Sequence, residues 1–268
     1  SIKEEYYAPA FSDIAEQVHT SVTDSWDEVV QWYSDLSSQQ AKPDYTIQRI
    51  ADELLKGKQL SKDEQFRLIY DFVCKNIQYS SIDFRQSGFI PQKASDIYHS
   101  RLGDCKDVST LFASIARAAG LKVNLVLINT ANNGKNSVVL PSLNFNHCIV
   151  KAYTDSGSKY LELTDPNLPY GHLYFYHQGA PILEIPHEAP VAGRQLEYLS
   201  LNEGYKSHVI RNTTVNIQKD NRIRIRKDVV KTGTAAGGIC DTYFNESEEK
   251  KKEIMRDAVA PDYKSSIS

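Results

Sequence analysis

One cysteine lies where a helix is expected to begin, in the segment Arg101-Leu-Gly-Asp-Cys-Lys-Asp107. Beyond it, apolar residues recur at three- and four-residue spacing as far as Ala119, which predicts a helix with one buried face. Asp104 is placed to cap this helix, so Cys105 is its first residue. Free N–H groups and the positive end of the helix dipole favour the thiolate, the nucleophilic form. The same pattern also allows a small apolar cysteine that is simply buried.

A histidine and an aspartate follow on a predicted β-hairpin. Residues 145–153 and 159–165 are predicted as strands, joined by a turn centred on Ser156. With this register His147 lies opposite Asp165, and facing residues have Cβ atoms roughly 4.5–5.5 Å apart. An imidazole then reaches a carboxylate, and a slip in register would break that pairing. A thiol, an imidazole and a carboxylate supply a nucleophile, a base and an orienting group, the chemistry of cysteine-dependent acyl transfer.

These residues and their neighbours resemble the transglutaminase-like (transglutaminase-core) superfamily, whose architecture is related to that of papain. The resemblance covers residues 60–185, and its motifs are specific because they occur in a fixed order. In chain order the matching motifs are Gly103-Asp-Cys-Lys-Asp107 with its helix to Gly120, Leu140-Pro-Ser142, Phe145-Asn-His147, Leu163-Thr-Asp-Pro166, Pro169-Tyr-Gly171 and Gln178-Gly179. Several of them look like a bacterial branch of the superfamily.

The resemblance implies an α+β papain-like fold, in which N-terminal helices pack on an antiparallel sheet. It implies a catalytic triad of Cys105, His147 and Asp165 in a cleft between the cysteine helix and the strands. Tyr79 and Gln92 lie in the segment that lines the cleft wall in the family, so both are candidates to contact the oxyanion. The backbone N–H of Cys105 is the first candidate donor.

The predicted domain organisation has three parts. Residues 1–42 are expected to form a helical segment or the tail of an upstream domain, and residues 43–200 the transglutaminase-like core. Residues 201–268 are expected to begin a β-rich C-terminal domain, because two strands are predicted around residue 220. In the bacterial branch such cores lie between β-rich domains of larger proteins. The resemblance therefore implies flanking β-rich domains and a periplasmic or membrane-associated extracytoplasmic location.

Capping signals and apolar patterns predict the elements around the cysteine helix. Ser25 with Glu28, and Ser61 with Glu64, have the spacing of capping boxes that begin helices. Residues 122–128 are a nearly continuous apolar run, which is typical of a central strand covered on both faces.

Composition limits the classes of partner. Of 268 residues, 41% are hydrophobic and 24% charged, which is ordinary for a globular protein. The net charge of −3 gives no strong attraction to nucleic acid, so no nucleic-acid partner is expected.

The cysteines and histidines give no sign of a metal or cofactor. The four cysteines form no C-x-x-C pair, and together with the histidines they form no cluster with zinc-site spacing. We therefore expect neither a metal nor a cofactor. Cys74 and Cys148 are interpreted as core residues, and a single disulfide stays possible. The histidines other than His147, including His177, are expected at the surface or in ordinary hydrogen bonds.

The resulting hypothesis is acyl transfer on amide bonds of a protein or peptide substrate through a Cys105 thioester. Water would resolve the thioester in a peptidase or amidase, and an amine would resolve it in a transglutaminase. The alternative is a catalytically idle module that binds protein or glycan. A redox role for Cys105 is weaker, because no resolving cysteine is near in sequence. The substrate and the oligomeric state stay open.

Overall fold

The computed structural model describes most of the chain, which forms two compact units. The described residues are 9–80, 88–134, 137–187, 192–200, 207–220, 222–243 and 246–259. The larger unit comprises Ser1–Pro166 and Leu173–Asn202, and the smaller one Asn167–His172 and Glu203–Ser268. The predicted division after residues 42 and 200 stays a prediction.

The larger unit combines helices with one antiparallel sheet, which is the predicted α+β class. Its α-helices are α1 (Phe11–Ile14), α2 (Trp26–Gln40), α3 (Tyr45–Leu55), α4 (Lys62–Asn76), α5 (Ala94–Ser100) and α6 (Cys105–Ala118). Its strands are β1 (Gln78–Tyr79), β2 (Leu102–Gly103), β3 (Val123–Ile128), β4 (His147–Thr154), β5 (Gly157–Leu161), β6 (Pro181–Ile185) and β7 (Glu197–Tyr198). Single 3₁₀ turns lie at Ala131–Asn133 and Phe175–His177.

The main sheet has the strand order β5-β4-β3-β6-β7, with antiparallel neighbours throughout. All six residues of β3 are buried, so the predicted central strand is confirmed. A separate parallel pair joins β1 to β2 just before α6. This pair ties the end of α4 to the start of the cysteine helix.

The hairpin of β4 and β5 has a different register from the predicted one. Val150 pairs with Leu161, and Thr154 pairs with Gly157, so the turn consists of two residues. Gly157 has a φ of +135°, a conformation that side chains rarely adopt, and this fixes the turn beside the glycine. The predicted register, centred on Ser156, is therefore wrong by one residue.

Helix α6 is the centre of the core. Every residue from Asp107 to Ala116 is buried, so α6 is enclosed on more than the single face that its pattern predicts. It packs against β3 and β4 on one side and against α3, α4 and α5 on the other. Ser109, which is fully buried, donates a hydrogen bond to the carbonyl of Cys148 at 3.2 Å and so joins α6 to β4.

The smaller unit contains a hairpin and two helices. Strands β8 (His208–Ile217) and β9 (Ile223–Thr232) pair antiparallel along their length. Helices α7 (Thr234–Tyr243) and α8 (Glu248–Val259) follow, and α7 lies where the sequence predicted no element. The proposed β-rich domain beyond residue 201 stays a prediction. In the part of the chain that the structure describes, no helix is long and apolar enough to cross a bilayer.

Gly103 supplies a direct test of how α6 begins. A Cβ at this position would lie 2.8 Å from the Cβ of Asp107, closer than such atoms approach in proteins. We expect Gly103→Ala to lower the free energy of unfolding by about 1–3 kcal/mol, as overpacking does. Urea unfolding followed by tryptophan fluorescence measures this, because both tryptophans, Trp26 and Trp32, lie on α2 in the larger unit.

Gly88→Ala is the matched control. A Cβ there meets no described atom within 4 Å, and the φ of Gly88 is outside the left-handed region. Equal stability of the two variants would contradict the steric explanation.

Candidate active site

Cys105 is held at the start of α6 by a complete capping box. The Asp104 carboxylate accepts hydrogen bonds from the N–H groups of Lys106 and Asp107, both at 3.1 Å. The Asp107 carboxylate accepts the N–H of Asp104 in return, at 3.2 Å. Cys105 is the first helical residue, as predicted, and its side chain is partly exposed. The thiol therefore lies at a fixed position at the positive end of the helix.

Gln92 stabilises the start of α6 through hydrogen bonds to Asp107. Its backbone N–H and its side-chain Nε2 both donate to the buried Asp107 carboxylate, at 2.8 Å each. Gln92 is not among the described residues that line the cleft beside Cys105. The structure therefore brings this predicted oxyanion candidate to Asp107 and gives it a positioning contact.

His147, at the start of β4, lies between the thiol and a carboxylate. Its ring and the Cys105 thiol line the same cavity and interact electrostatically. Its Nε2 atom lies 2.6 Å from Oε2 of Glu162. Because Nε2 is engaged by Glu162, Nδ1 is the ring nitrogen left for the thiol. The structure thus brings Cys105 and His147 together, as predicted.

The carboxylate that contacts His147 belongs to Glu162, and the predicted pairing of His147 with Asp165 is wrong. Asp165 accepts a hydrogen bond from the Tyr174 hydroxyl instead. The physical reason is the register of the hairpin, since a shift of one residue exchanges the two faces of a strand. With Val150 opposite Leu161, Glu162 shares the face of His147.

Glu162 carries a signal that sequence reasoning missed. It is a carboxylate between Leu161 and Leu163, so a strand there buries a charge, and a buried charge needs a partner. The residue is 1% exposed. Its Oε1 atom accepts from the backbone N–H of Thr164 at 2.8 Å and from the Thr164 hydroxyl at 2.6 Å.

The His147–Glu162 contact is a charged pair. Burial lowers the pKa of His147, but the Glu162 carboxylate and Cys105 raise it more, so the net direction is upward. Burial raises the pKa of Glu162, but the charge and hydrogen bond of His147 hold it below the ordinary range. Near neutral pH the site therefore holds an imidazolium next to a carboxylate.

His177 is a second buried histidine at the same carboxylate. Its ring stacks on His147, with centroids 5.4 Å apart and planes at 14°. Its Nε2 lies 3.4 Å from Oε2 of Glu162, without hydrogen-bond geometry. Burial lowers the pKa of His177 to about 4, so this ring is neutral at pH 7. The expectation of a surface or hydrogen-bonded histidine is wrong here, because His177 is fully buried and neither ring nitrogen has a hydrogen-bond partner among the described residues.

The side chains of His147, Glu162 and His177 are also arranged as a set of metal ligands would be. One donor atom each from His147, Glu162 and His177 lies within 4.8 Å of the others. The residues lie on β4, directly after β5 and on the 3₁₀ turn at Phe175–His177. They are too far apart in the chain to form a short sequence motif.

A cavity of about 250 Å³ opens beside Cys105 and His147. About half of its wall is aromatic or aliphatic, and the other side chains come mainly from the starts of α6 and β4. The described lining residues are Tyr33, Tyr79, Gly88, Phe89, Asp104, Cys105, Lys106, Leu127, Leu143, Phe145, Asn146, His147 and Cys148. Tyr79, the other predicted oxyanion candidate, therefore does face the cleft. A larger cavity, of about 480 Å³, lies at the opposite end of α6, and its described lining residues include no cysteine.

One family model and two solved structures are similar to this chain. Residues 48–163 match the family model described as the transglutaminase-like superfamily. Two solved structures are similar at 14% identity: a proposed protease from Parabacteroides distasonis, with a TM-score of 0.49, and a proposed cysteine protease from Cytophaga hutchinsonii, with a TM-score of 0.37. The similarity covers 67% and 72% of this chain.

The chain spans 32% of the first of those structures and 54% of the second. The search of curated proteins finds no match. The family model and the α+β arrangement of helices beside an antiparallel sheet agree with each other. Over residues 48–163 the chain is therefore similar to the transglutaminase-like superfamily.

Proposed function

We propose that the chain is a cysteine-dependent enzyme that transfers the acyl group of an amide bond in a protein or peptide. The observation that carries this proposal is that Cys105 and His147 line one cavity while His147 contacts the buried carboxylate of Glu162. The thiol is partly exposed and borders a cavity, so a substrate carbonyl has access to it. A nucleophile, a base and an orienting group in this order are the common arrangement of acyl-transfer enzymes.

In the first half of the proposed reaction, the Cys105 thiolate attacks the amide carbonyl carbon. The C–N bond breaks, and His147 gives its Nδ1 proton to the leaving amine. A thioester forms on Cys105 and His147 is left neutral. In the second half, water or an amine attacks the thioester while His147 takes its proton. The C–S bond breaks and the thiolate–imidazolium pair is restored.

Glu162 acts on this reaction through His147. It accepts the Nε2 proton, which holds the ring orientation and stabilises the imidazolium. Asp165 has no part in this proposal, since its described contact is with Tyr174.

The oxyanion of the tetrahedral intermediate needs donors near the thiol. The backbone N–H of Cys105 lies at a helix start, where no carbonyl of the helix can accept it, and it is the first donor that we propose. Tyr79 lines the cleft and stays the second candidate. Burial raises the pKa of Tyr79 to about 12, so its hydroxyl keeps a proton to donate at neutral pH.

The location of the reaction is also a proposal. On the resemblance to the bacterial branch alone, we place the chain outside the cytoplasm, in the periplasm or at a membrane surface, with β-rich domains beside the core.

Alkylation kinetics test the thiol–imidazole pair directly. We expect His147→Ala to slow the reaction of Cys105 with iodoacetamide at pH 7 by at least about tenfold, because a free cysteine is only a few per cent thiolate there. The rate is measured by mass spectrometry of the peptide that contains Cys105. His99→Ala is the control, because His99 lies on α5 and not among the described cleft residues. An unchanged rate in His147→Ala would overturn the pair.

A matched pair of variants distinguishes the two acidic residues. In Glu162→Gln the carboxylate charge is lost while burial stays, so the pKa of His147 should fall by at least about one unit. Imidazolium is then lost at a lower pH than in the wild type. In Asp165→Asn the pKa of His147 should stay where it is. NMR titration of ring-labelled histidine, in buffer with a chelator, measures both values, and an equal fall in the two variants would refute the assignment of Glu162.

A peptide library identifies the chemistry. We expect incubation with hydroxylamine to yield peptide hydroxamates, since hydroxylamine intercepts a thioester, and Cys105→Ser to yield none. Cleavage without hydroxylamine would identify a hydrolase, and incorporation of a labelled primary amine would identify a transglutaminase. Absence of every product, from a protein in which Cys105 is alkylated rapidly, would favour the idle binding module.

A further inference from the structure

His177 is not needed by the reaction proposed above, yet it points into the same buried cluster. It is 0% exposed, and neither of its ring nitrogens has a hydrogen-bond partner in the described part of the chain. Native proteins rarely leave buried polar groups unsatisfied, so such a group calls for an explanation. Its ring is kept in place by aromatic neighbours, with Tyr176 edge-on at 4.6 Å and Tyr174 at 6.1 Å between centroids.

Two of the three distances between donor atoms are close to those around a zinc ion, and all three atoms lie within 4.8 Å of one another. Zinc binds imidazole nitrogen at about 2.0–2.1 Å in tetrahedral sites, so two of its ligand atoms lie about 3.3–3.4 Å apart. Nε2 of His177 and Oε2 of Glu162 are already 3.4 Å apart. Nε2 of His147 and Oε2 of Glu162 are 2.6 Å apart, so this pair must open by less than about 1 Å.

We propose that His147, Glu162 and His177 form an inhibitory binding site for a divalent metal of zinc type. Two imidazole nitrogens and one carboxylate oxygen are ligands that zinc prefers, with a fourth position left for water. His177 binds through Nε2 and keeps its proton on Nδ1. His147 releases its Nε2 proton to solvent when the metal takes that position, so the site gains two positive charges and loses one proton.

If the chain has the function proposed above, occupation of this site would stop the reaction. A metal on Nε2 of His147 takes the place of the proton shared with Glu162. A metal-bound neutral imidazole gives up its Nδ1 proton far less readily than an imidazolium does, so His147 would no longer protonate the leaving amine. The ion can reach the site from the cleft, because the His147 side chain is 14% exposed and borders the cavity.

A competing arrangement uses the thiol. Zinc could instead bridge the Cys105 sulfur and Nδ1 of His147 on the other side of the ring. The two arrangements share His147, but only ours needs His177 and only the competitor needs Cys105. They are therefore distinguished by variants at those two positions and by whether sulfur binds the metal.

The test is zinc binding by the full chain in competition with a chromophoric chelator. We expect one zinc to bind the wild type, Cys105→Ser and the control His208→Ala, whose histidine is exposed on β8. We expect His177→Gln to weaken binding by at least about tenfold, as losses around zinc sites do. Full binding by His177→Gln, loss of binding in Cys105→Ser, or no binding by the wild type would each overturn the site.

A spectrum of the wild type keeps the test valid if His177→Gln fails to fold. Cobalt(II) in place of zinc should give the visible bands of a tetrahedral site without a near-ultraviolet sulfur-to-cobalt band. A sulfur-to-cobalt band would establish the competing arrangement. Alkylation of Cys105 in metal-free buffer tests the proposed function by itself, so inert Cys105 with intact cobalt binding would remove the enzyme proposal and leave the metal site.

Discussion

The burial of one carboxylate is the constraint on which the site depends. Glu162 is 1% exposed, and a charge in such surroundings is tolerated only when it is paired and hydrogen-bonded. Thr164 and His147 supply those contacts. The pairing in turn requires that β5 present Glu162 on the face of β4 that carries His147. The two-residue turn beside Gly157 fixes that face, so the position of a glycine determines which acid contacts the base.

A second buried carboxylate, that of Asp107, holds the helix start that carries Cys105 in place. Asp107 accepts N–H groups from Asp104 and, twice, from Gln92, so the loop before α5 and the start of α6 are fastened to one point. Gly103 leaves the room that this approach needs, since a side chain there would overlap Asp107. The motif around Cys105 is therefore understood as packing and capping that hold the thiol in place.

Local signals in the sequence predicted a large part of this structure. The capping boxes at Ser61 and Asp104, the burial of β3 and the position of Cys105 at a helix start all follow from short-range patterns, and the structure has them. His147 was found because a predicted strand carried it. Long-range features were missed for a physical reason. The hairpin register depends on the φ of one glycine, and the faces of a strand alternate with every residue, so an error of one position led to Asp165 in place of Glu162.

The two histidines around Glu162 cannot be equivalent, and the difference between them explains which one the proposed reaction uses as its base. One carboxylate offsets one imidazolium, so a second proton in the cluster would add an uncompensated buried charge. Burial, and then the charge of His147, lower the pKa of His177 to about 4, although Glu162 opposes them. His147 holds the proton because it has the shorter contact with Glu162, at 2.6 Å against 3.4 Å for His177, and because Cys105 also raises its pKa. The proton is thereby kept on the ring that borders the cleft, where the leaving amine of the proposed reaction would receive it.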